Sequence, residues 1–115
     1  MKKYAAKLLY QFRVVVNNKS NKMRICEEKI IRFDAENADE VYKKVNQRGK
    51  DDEYSYLNDD KNRVYYEFIG IQDLMHLGIE CEYDEVWYEI KNYLKPNERK
   101  NKFIPNKNEL SIFNE

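Results

Sequence analysis

The stretch Tyr4-Ala5-Ala6-Lys7-Leu8-Leu9-Tyr10-Gln11-Phe12-Arg13-Val14-Val15-Val16 decides the fold class. Its even positions, Tyr4, Ala6, Leu8, Tyr10, Phe12, Val14 and Val16, are all apolar or aromatic, while its odd positions include Lys7, Gln11 and Arg13. Successive side chains of a strand point to opposite faces, so a period of two marks a long strand with one buried face. Next comes Asn17-Asn18-Lys19-Ser20-Asn21-Lys22, a polar loop rich in turn formers. A second strand is expected from about Arg24 to Asp34. It alternates less cleanly: Ile25, Ile30, Ile31 and Phe33 are apolar, with Glu27, Glu28 and Lys29 between them. The phase changes at Glu28–Ile30, which predicts a bulge there. The two strands make a long hairpin.

Asn37 then reads as a helix N-cap, with Glu40 three residues later to complete a capping box. Asp39 and Glu40 complement the positive end of the helix dipole. Ala38, Val41, Tyr42 and Val45 fall at i, i+3, i+4 and i+7 and form one apolar stripe, and Gly49 is a natural terminator. Further on, Tyr54-Ser55-Tyr56-Leu57, a turn at residues 58–62 and the aromatic run from Arg63 to Gln72 read as a second hairpin. Residues 73–77 read as a connection with one helical turn, and Glu85 to Tyr93 as a last strand. The expected fold class is therefore α+β: a two-layer sandwich with an antiparallel sheet of about five strands, in the order β-β-α-β-β-β, and one helix on one face. Residues 1–94 form a single domain and residues 95–115 a polar C-terminal extension. Leu110, Ile112 and Phe113 in that extension dock on this chain, on a second copy or on a partner, unless the terminus is mobile. With one helix as cover, part of the other sheet face meets water, a second copy or a partner.

The chain has 115 residues, 42% of them hydrophobic, enough for one cored domain. No stretch approaches the ~20 apolar residues of a membrane span, and Lys7, Gln11 and Arg13 interrupt any secretory signal. Cys26 and Cys81 lie far apart with no CxxC spacing, so two reduced thiols in the cytoplasm are expected. Net charge is zero but unevenly spread: residues 1–50 carry +7, residues 51–90 carry −10 and residues 91–115 carry +3. Neutrality argues against a nucleic-acid partner, whose affinity comes largely from phosphate neutralisation. The acidic middle block suits a basic partner unless folding interleaves the three blocks.

Chemistry-bearing motifs are few. His76 is the single histidine, and a metal site needs three or four convergent ligands, so none is expected. Three glycines, at 49, 70 and 78, provide no phosphate-cradling loop. Gly70 lies inside a strand and marks a bulge or a close backbone approach. No glycine-rich turn near either cysteine builds an oxyanion hole for a Cys–His pair. Among the carboxylates, Glu27, Glu28 and Glu67 are the polar residues to watch: two facing each other across strands could perform acid–base work, whereas a solvated face with cross-strand cations would leave them structural. The aromatic-rich segments 54–66 and 83–93 are also the acidic ones, a combination that suits a protein partner. Tyr83, Glu85, Trp87, Tyr88, Glu89 and Tyr93 are the candidate protein-binding residues, with core packing as the alternative for Trp87 and alternate tyrosines.

Several segments taken together resemble the bacterial domain-of-unknown-function family 4288. They are Tyr4-Ala5-Ala6-Lys7-Leu8-Leu9-Tyr10, Cys26-Glu27-Glu28-Lys29-Ile30, Asp34-Ala35-Glu36, Ser55-Tyr56, the run from Tyr65 to Leu74, and Asp84-Glu85-Val86-Trp87-Tyr88. The resemblance covers about residues 3–90. Where the family typically has a tryptophan, this chain has Tyr65-Tyr66. The resemblance implies a small bacterial cytoplasmic protein and carries over no catalytic residues. The expectation is a non-enzymatic protein-binding module without cofactor, concretely an immunity or antitoxin-like protein that masks a toxin domain. A self-associating regulatory or small-ligand-binding protein is the alternative, and an enzyme using strand carboxylates ranks third.

Overall fold

In the computed structural model, six strands among the described residues form one antiparallel sheet: β1 (Lys2–Val16), β2 (Lys19–Ser20), β3 (Met23–Ala35), β4 (Tyr54–Leu57), β5 (Arg63–Leu77) and β6 (Glu85–Leu94). Residues 1–77 and 85–113 are described, with side chains over residues 1–77 and 93–113. The strand order is β4-β5-β1-β3-β6, with the two-residue β2 paired to the end of β1. Helix α1 (Ala38–Asp51) lies on one face; a short α2 (Lys100–Phe103) and two 3-10 turns follow in the C-terminal segment. The fold is the α+β sandwich read from the sequence. The extra strand β2 falls in the expected loop, next to Asn17 and Asn18 at positive φ, where asparagine is tolerated.

Three local expectations are corrected. The β1–β3 register runs without a break from Lys2↔Ala35 to Phe12↔Ile25. The shift lies instead on the β6 side, where Ile30 faces Trp87 and Ile31 faces Glu85. The irregular pattern of β3 reflects not a bulge but reversed polarity: Arg24, Cys26 and Glu28 are buried, while Met23 and Ile25 are exposed. Residues 73–77 are not a helical turn. They continue β5, because the long β1 offers them a partner (Tyr4↔His76, Lys3↔Leu77). Two register shifts, at Lys7/Leu8 and Leu9/Tyr10, accommodate the extra residues of β5. Finally, α1 does not stop at Gly49. It continues to Asp51, with Asp52 as C-cap in right-handed geometry. Gly49 is buried there for another reason: a Cβ would collide with the ring of Phe68.

The N-terminus of α1 carries the expected Asn37 cap, but the carboxylate of Glu40 reaches back to Glu36 and not to the Asn37 amide of the expected capping box. The Asn37 side chain accepts from the Glu40 amide at 2.8 Å, and the Glu40 carboxylate accepts from the Glu36 amide at 3.0 Å. Val41 and Val45 are fully buried, each contributing about 1.5–2 kcal/mol of apolar burial. They join Tyr4, Ala6, Leu8, Tyr10, Ala35, Ile71, Leu74 and Leu110 in the main core. Leu110, from the C-terminal segment, is 1% exposed, and Ile112 and Phe113 pack beside it. Of the destinations open to these residues, they take their own chain. The Ser111 amide and hydroxyl both bind the Asp73 carboxylate, at 2.9 and 3.0 Å.

The opposite face is also covered in its middle. Leu9, Cys26 and Ile69 form a second core under Tyr93, Phe103 and Ile104. Ile104 lies over Gly70, close enough that a Cβ would stand 3.0 Å from it, so Gly70 marks a close approach. Phe103 and Ile104 sit in an otherwise polar segment with no period, so nothing in the sequence pattern assigns them to a core. Cover on the helix side is limited by geometry. A 14-residue helix is roughly 21 Å long, while the molecule extends 49 Å along its longest axis. The helix spans the Tyr4-to-Tyr10 half of β1 and leaves the half from Phe12 to Val16 without it.

Candidate interaction surface

The uncovered half of the helix-side face is set by cross-strand register. Tyr54 of β4 faces Tyr66 of β5, Tyr66 faces Phe12 of β1, and Phe12 faces Ile25 of β3. A second row runs Tyr56, Val64, Val14, and Met23 faces Leu94 of β6. Met23, Ile25 and Tyr54 are 57%, 52% and 54% exposed, and Val16, Tyr56 and Leu94 are exposed as well. Most large exposed hydrophobic side chains of the described residues therefore share one sheet face. A contiguous apolar patch of this kind marks an interaction site more often than scattered single residues do.

The patch abuts a group of tyrosines bonded to carboxylates. The Tyr10 and Tyr66 rings stack with centroids 4.8 Å apart, and Tyr54 stacks on Tyr66 at 4.9 Å. Tyr66 Oη donates to Glu27 Oε1 at 2.5 Å, and Tyr10 Oη donates to Asp52 Oδ2 at 2.6 Å. Burial and then these carboxylate acceptors push both phenol pKa values well above the usual tyrosine range. Both hydroxyls therefore stay protonated donors at neutral pH. Asp52 is also held by Arg48 Nε at 3.1 Å. Lys29 Nζ lies 3.7 Å from Glu27 Oε1 and 5.3 Å from the centre of the Tyr10 ring. Phe12, Glu27, Lys29, Asp52, Tyr54 and Tyr66 line a cleft of about 290 Å³.

The three carboxylates singled out in the sequence do not converge. Alternation along β3 puts Glu27 on the helix side and Glu28 on the other. Glu28 is 2% exposed and accepts from Tyr93 Oη at 2.7 Å and Gln72 Nε2 at 3.3 Å, with Lys7 Nζ 3.2 Å away. Glu67 is bound by Arg13 at 2.8 and 3.1 Å and by Gln11 Nε2 at 2.8 Å. Burial opposes its ionisation, but the Arg13 and Gln11 hydrogen bonds outweigh burial and lower its pKa. A general acid near neutrality would need the opposite shift. Arg24, buried beside them, donates to Asn21 O at 2.7 Å, Gln11 Oε1 at 3.1 Å, and both oxygens of Glu98 at 2.7 and 2.9 Å. Cys26 is a free, buried thiol, and burial raises its pKa to about 11, so it is not an activated nucleophile. His76 is exposed on β5 with its ring 5.3 Å from Tyr4. No group of three metal-ligating side chains occurs among the described residues.

Of the candidate protein-binding residues, Tyr83 lies outside the described residues. Glu85, Trp87, Tyr88 and Glu89 lie on β6, their side chains outside the description. Tyr93 faces the second core, its ring 4.5 Å from Phe103. Met23, Ile25 and Leu94 were not singled out by the sequence. The signal that could have found them is the polarity reversal in β3, where buried Arg24 and Cys26 alternate with apolar neighbours. The acidic aromatic character of residues 54–66 did point to Tyr54 and Tyr56.

No helix among the described residues is long and apolar enough to cross a membrane. No curated protein and no solved structure matches the chain. A family match covers residues 3–86, taking in β1 to β5 and α1 and ending at the start of β6, before the segment that covers the second core. By that match the chain belongs to the family described as Domain of unknown function (DUF4288).

Proposed function

We propose that the chain is a non-enzymatic protein-binding module of the bacterial cytoplasm, most concretely an immunity- or antitoxin-like protein that masks a toxin domain. It docks through the uncovered half of the helix-side face. One observation carries this reading: Phe12, Val16, Met23, Ile25, Tyr54, Tyr56 and Leu94 lie together on a sheet face that α1 is too short to reach. Tyrosine is a frequent interface anchor, because its ring is rigid and its hydroxyl tolerates both water and burial. The flank at β4 supports a basic partner. Asp51, Asp52, Glu53, Asp59 and Asp60 stand there against Arg48, Lys50, Lys61 and Arg63, a slight negative excess of the kind that steers association with a basic domain. Self-association through the same patch is the second reading, supported by the same apolar surface and by a net charge of zero, which imposes no overall repulsion between copies.

The test is co-expression with the product of the adjacent gene, followed by light scattering of the purified sample. The expected result is a stoichiometric complex that Ile25→Arg abolishes while the circular dichroism of the variant is unchanged. A homodimer dissolved by Ile25→Arg would move the assignment to self-association. A strict monomer that ignores the neighbouring product would overturn both.

A further inference from the structure

Strand β4 stands at one end of the strand order, with β5 on its inner side. We propose that its outer edge takes an extended segment of the docking protein as an added antiparallel strand, apolar at alternate positions and basic at both ends; this rests on the docking reading above.

Backbone direction comes first. The Asn58 N–H donates to Asn62 O at 3.0 Å, so Asn58 turns its backbone groups towards β5. Alternation gives Tyr56 and Tyr54 the same direction, and Ser55 and Leu57 turn their N–H and C=O groups outward. Further along β5 the chain caps an outward group itself: the Phe68 N–H, just past the end of β4, meets Glu53 Oε2 at 3.0 Å. No side chain among the described residues does this for Ser55 or Leu57. Edges of this kind are normally guarded by a charged residue, a proline or a bulge, and Tyr54-Ser55-Tyr56-Leu57 contains no charge and no proline. The strand at the other end of the order, β6, includes Glu85, Glu89 and Lys91.

Side chains name the occupant. Tyr54 and Tyr56 are exposed and are the outermost members of the apolar rows on the docking face. A strand added beside them sets every second side chain in line with those rows, which favours apolar residues at alternate positions. Glu53 and Asp59 are exposed and flank β4, which favours a basic residue at each end. The same two residues disfavour a second copy. Antiparallel pairing of two β4 strands, with Ser55 opposite Leu57, brings Glu53 of each copy against Asp59 of the other, and like charges facing each other are destabilising.

The test uses the full chain and three blocked seven-residue peptides. The first has valine at its second, fourth and sixth positions, threonine at its third and fifth, and lysine at both ends. The second is the same peptide N-methylated at its threonines, which keeps every side chain and removes the donors that face β4. The third has glutamate in place of lysine. Amide shifts and hydrogen exchange at Ser55 and Leu57 are followed by NMR. In the free protein these two amides exchange faster than those of Tyr54 and Tyr56. The first peptide is expected to give saturable shifts and to slow exchange at both. The N-methylated peptide binds at least about ten-fold more weakly, and the glutamate peptide about three-fold or more. Ser55→Pro weakens the first peptide by about ten-fold, since an edge strand accepts proline where its N–H faces outward, while Ser55→Ala stays within about two-fold. Equal binding of the plain and N-methylated peptides, or the absence of saturable shifts at these amides, overturns the inference. Protection of Ser55 and Leu57 that rises with protein concentration and needs no peptide gives the edge to a second copy and overturns it as well. If the peptides fail while Ile25→Arg still abolishes the complex, the edge assignment falls and the docking face stands. If the first peptide pairs as expected but no neighbouring product is captured, the edge stands as a strand-addition site and the docking reading falls.

Discussion

Beneath α1 the sheet presents Tyr4, Ala6, Leu8 and Ile71, while on its opposite face, beneath residues 93–104, Gln11, Arg24 and Glu28 are buried just as deeply. One face is held by apolar area, the other by paired charge around a small apolar patch. The difference follows from what each cover brings. Helix α1 brings Val41 and Val45, which need only shape and area to bind. The C-terminal segment brings Glu98, and with it a carboxylate fork for Arg24. Burying a guanidinium costs several kcal/mol unless its donors are met. Here the Arg24 donors reach Asn21, Gln11 and Glu98. The second face thus depends on a particular geometry, whereas the first depends on volume.

The comparison can be broken first on the apolar side. Leu8→Ala should cost about 3 kcal/mol, from lost transfer energy and the cavity left behind. A lowered urea midpoint with an unchanged slope would verify it, and a loss well under 1 kcal/mol would mean that the helix-side core is not tightly packed. On the polar side, Arg24→Leu should cost about 2 kcal/mol, because Gln11 and Asn21 O lose a buried donor while the half-exposed Glu98 returns to water. The same variant should speed tryptic cleavage after Arg99, Lys100 and Lys102 as the segment opens locally. Equal cleavage in both proteins would show that Arg24 does not hold the segment down.

The third test turns on sign. In an open helix Gly→Ala stabilises by roughly 1 kcal/mol, yet Gly49→Ala should destabilise by about 1–2 kcal/mol, because the new methyl meets the Phe68 ring. A rise in thermal midpoint would contradict that packing. The smallest effect is in pH. Glu67 has a folded pKa below its unfolded value of 4.5. Its contribution is therefore present above pH 4.5 and is lost as pH falls through the lower, folded value. Solvent screening keeps it under about 1 kcal/mol. Glu67→Gln should flatten the stability profile on the acid side of pH 4.5, and an unchanged profile would assign that slope to other carboxylates.

Much of the architecture was legible in the sequence because it rests on local rules. The alternation of β1, the Asn37 cap, the stripe through Val41 and Val45 and the aromatic run of β5 each express a preference of a few consecutive residues. The corrections share a different cause. Gly49 reads as a terminator by propensity, but a ring 19 positions away in the chain needs the space it leaves. Residues 73–77 read as a turn, but β1 is long enough to pair with them. The candidate surface was half legible: Tyr54 and Tyr56 stood in an acidic aromatic segment, while Ile25 read as one of the apolar residues of the second strand and Met23 fell outside its expected start.

The sequence by itself determined an antiparallel sheet and a capped helix, because alternation and capping act over neighbouring residues. Tertiary structure alone decided which half of the sheet α1 leaves bare, which side of β3 faces inward, and that the C-terminal segment closes the second face. The physical reason is distance along the chain. Arg24 is buried only because Glu98, 74 residues later, meets its guanidinium, and no local pattern encodes a pairing of that kind.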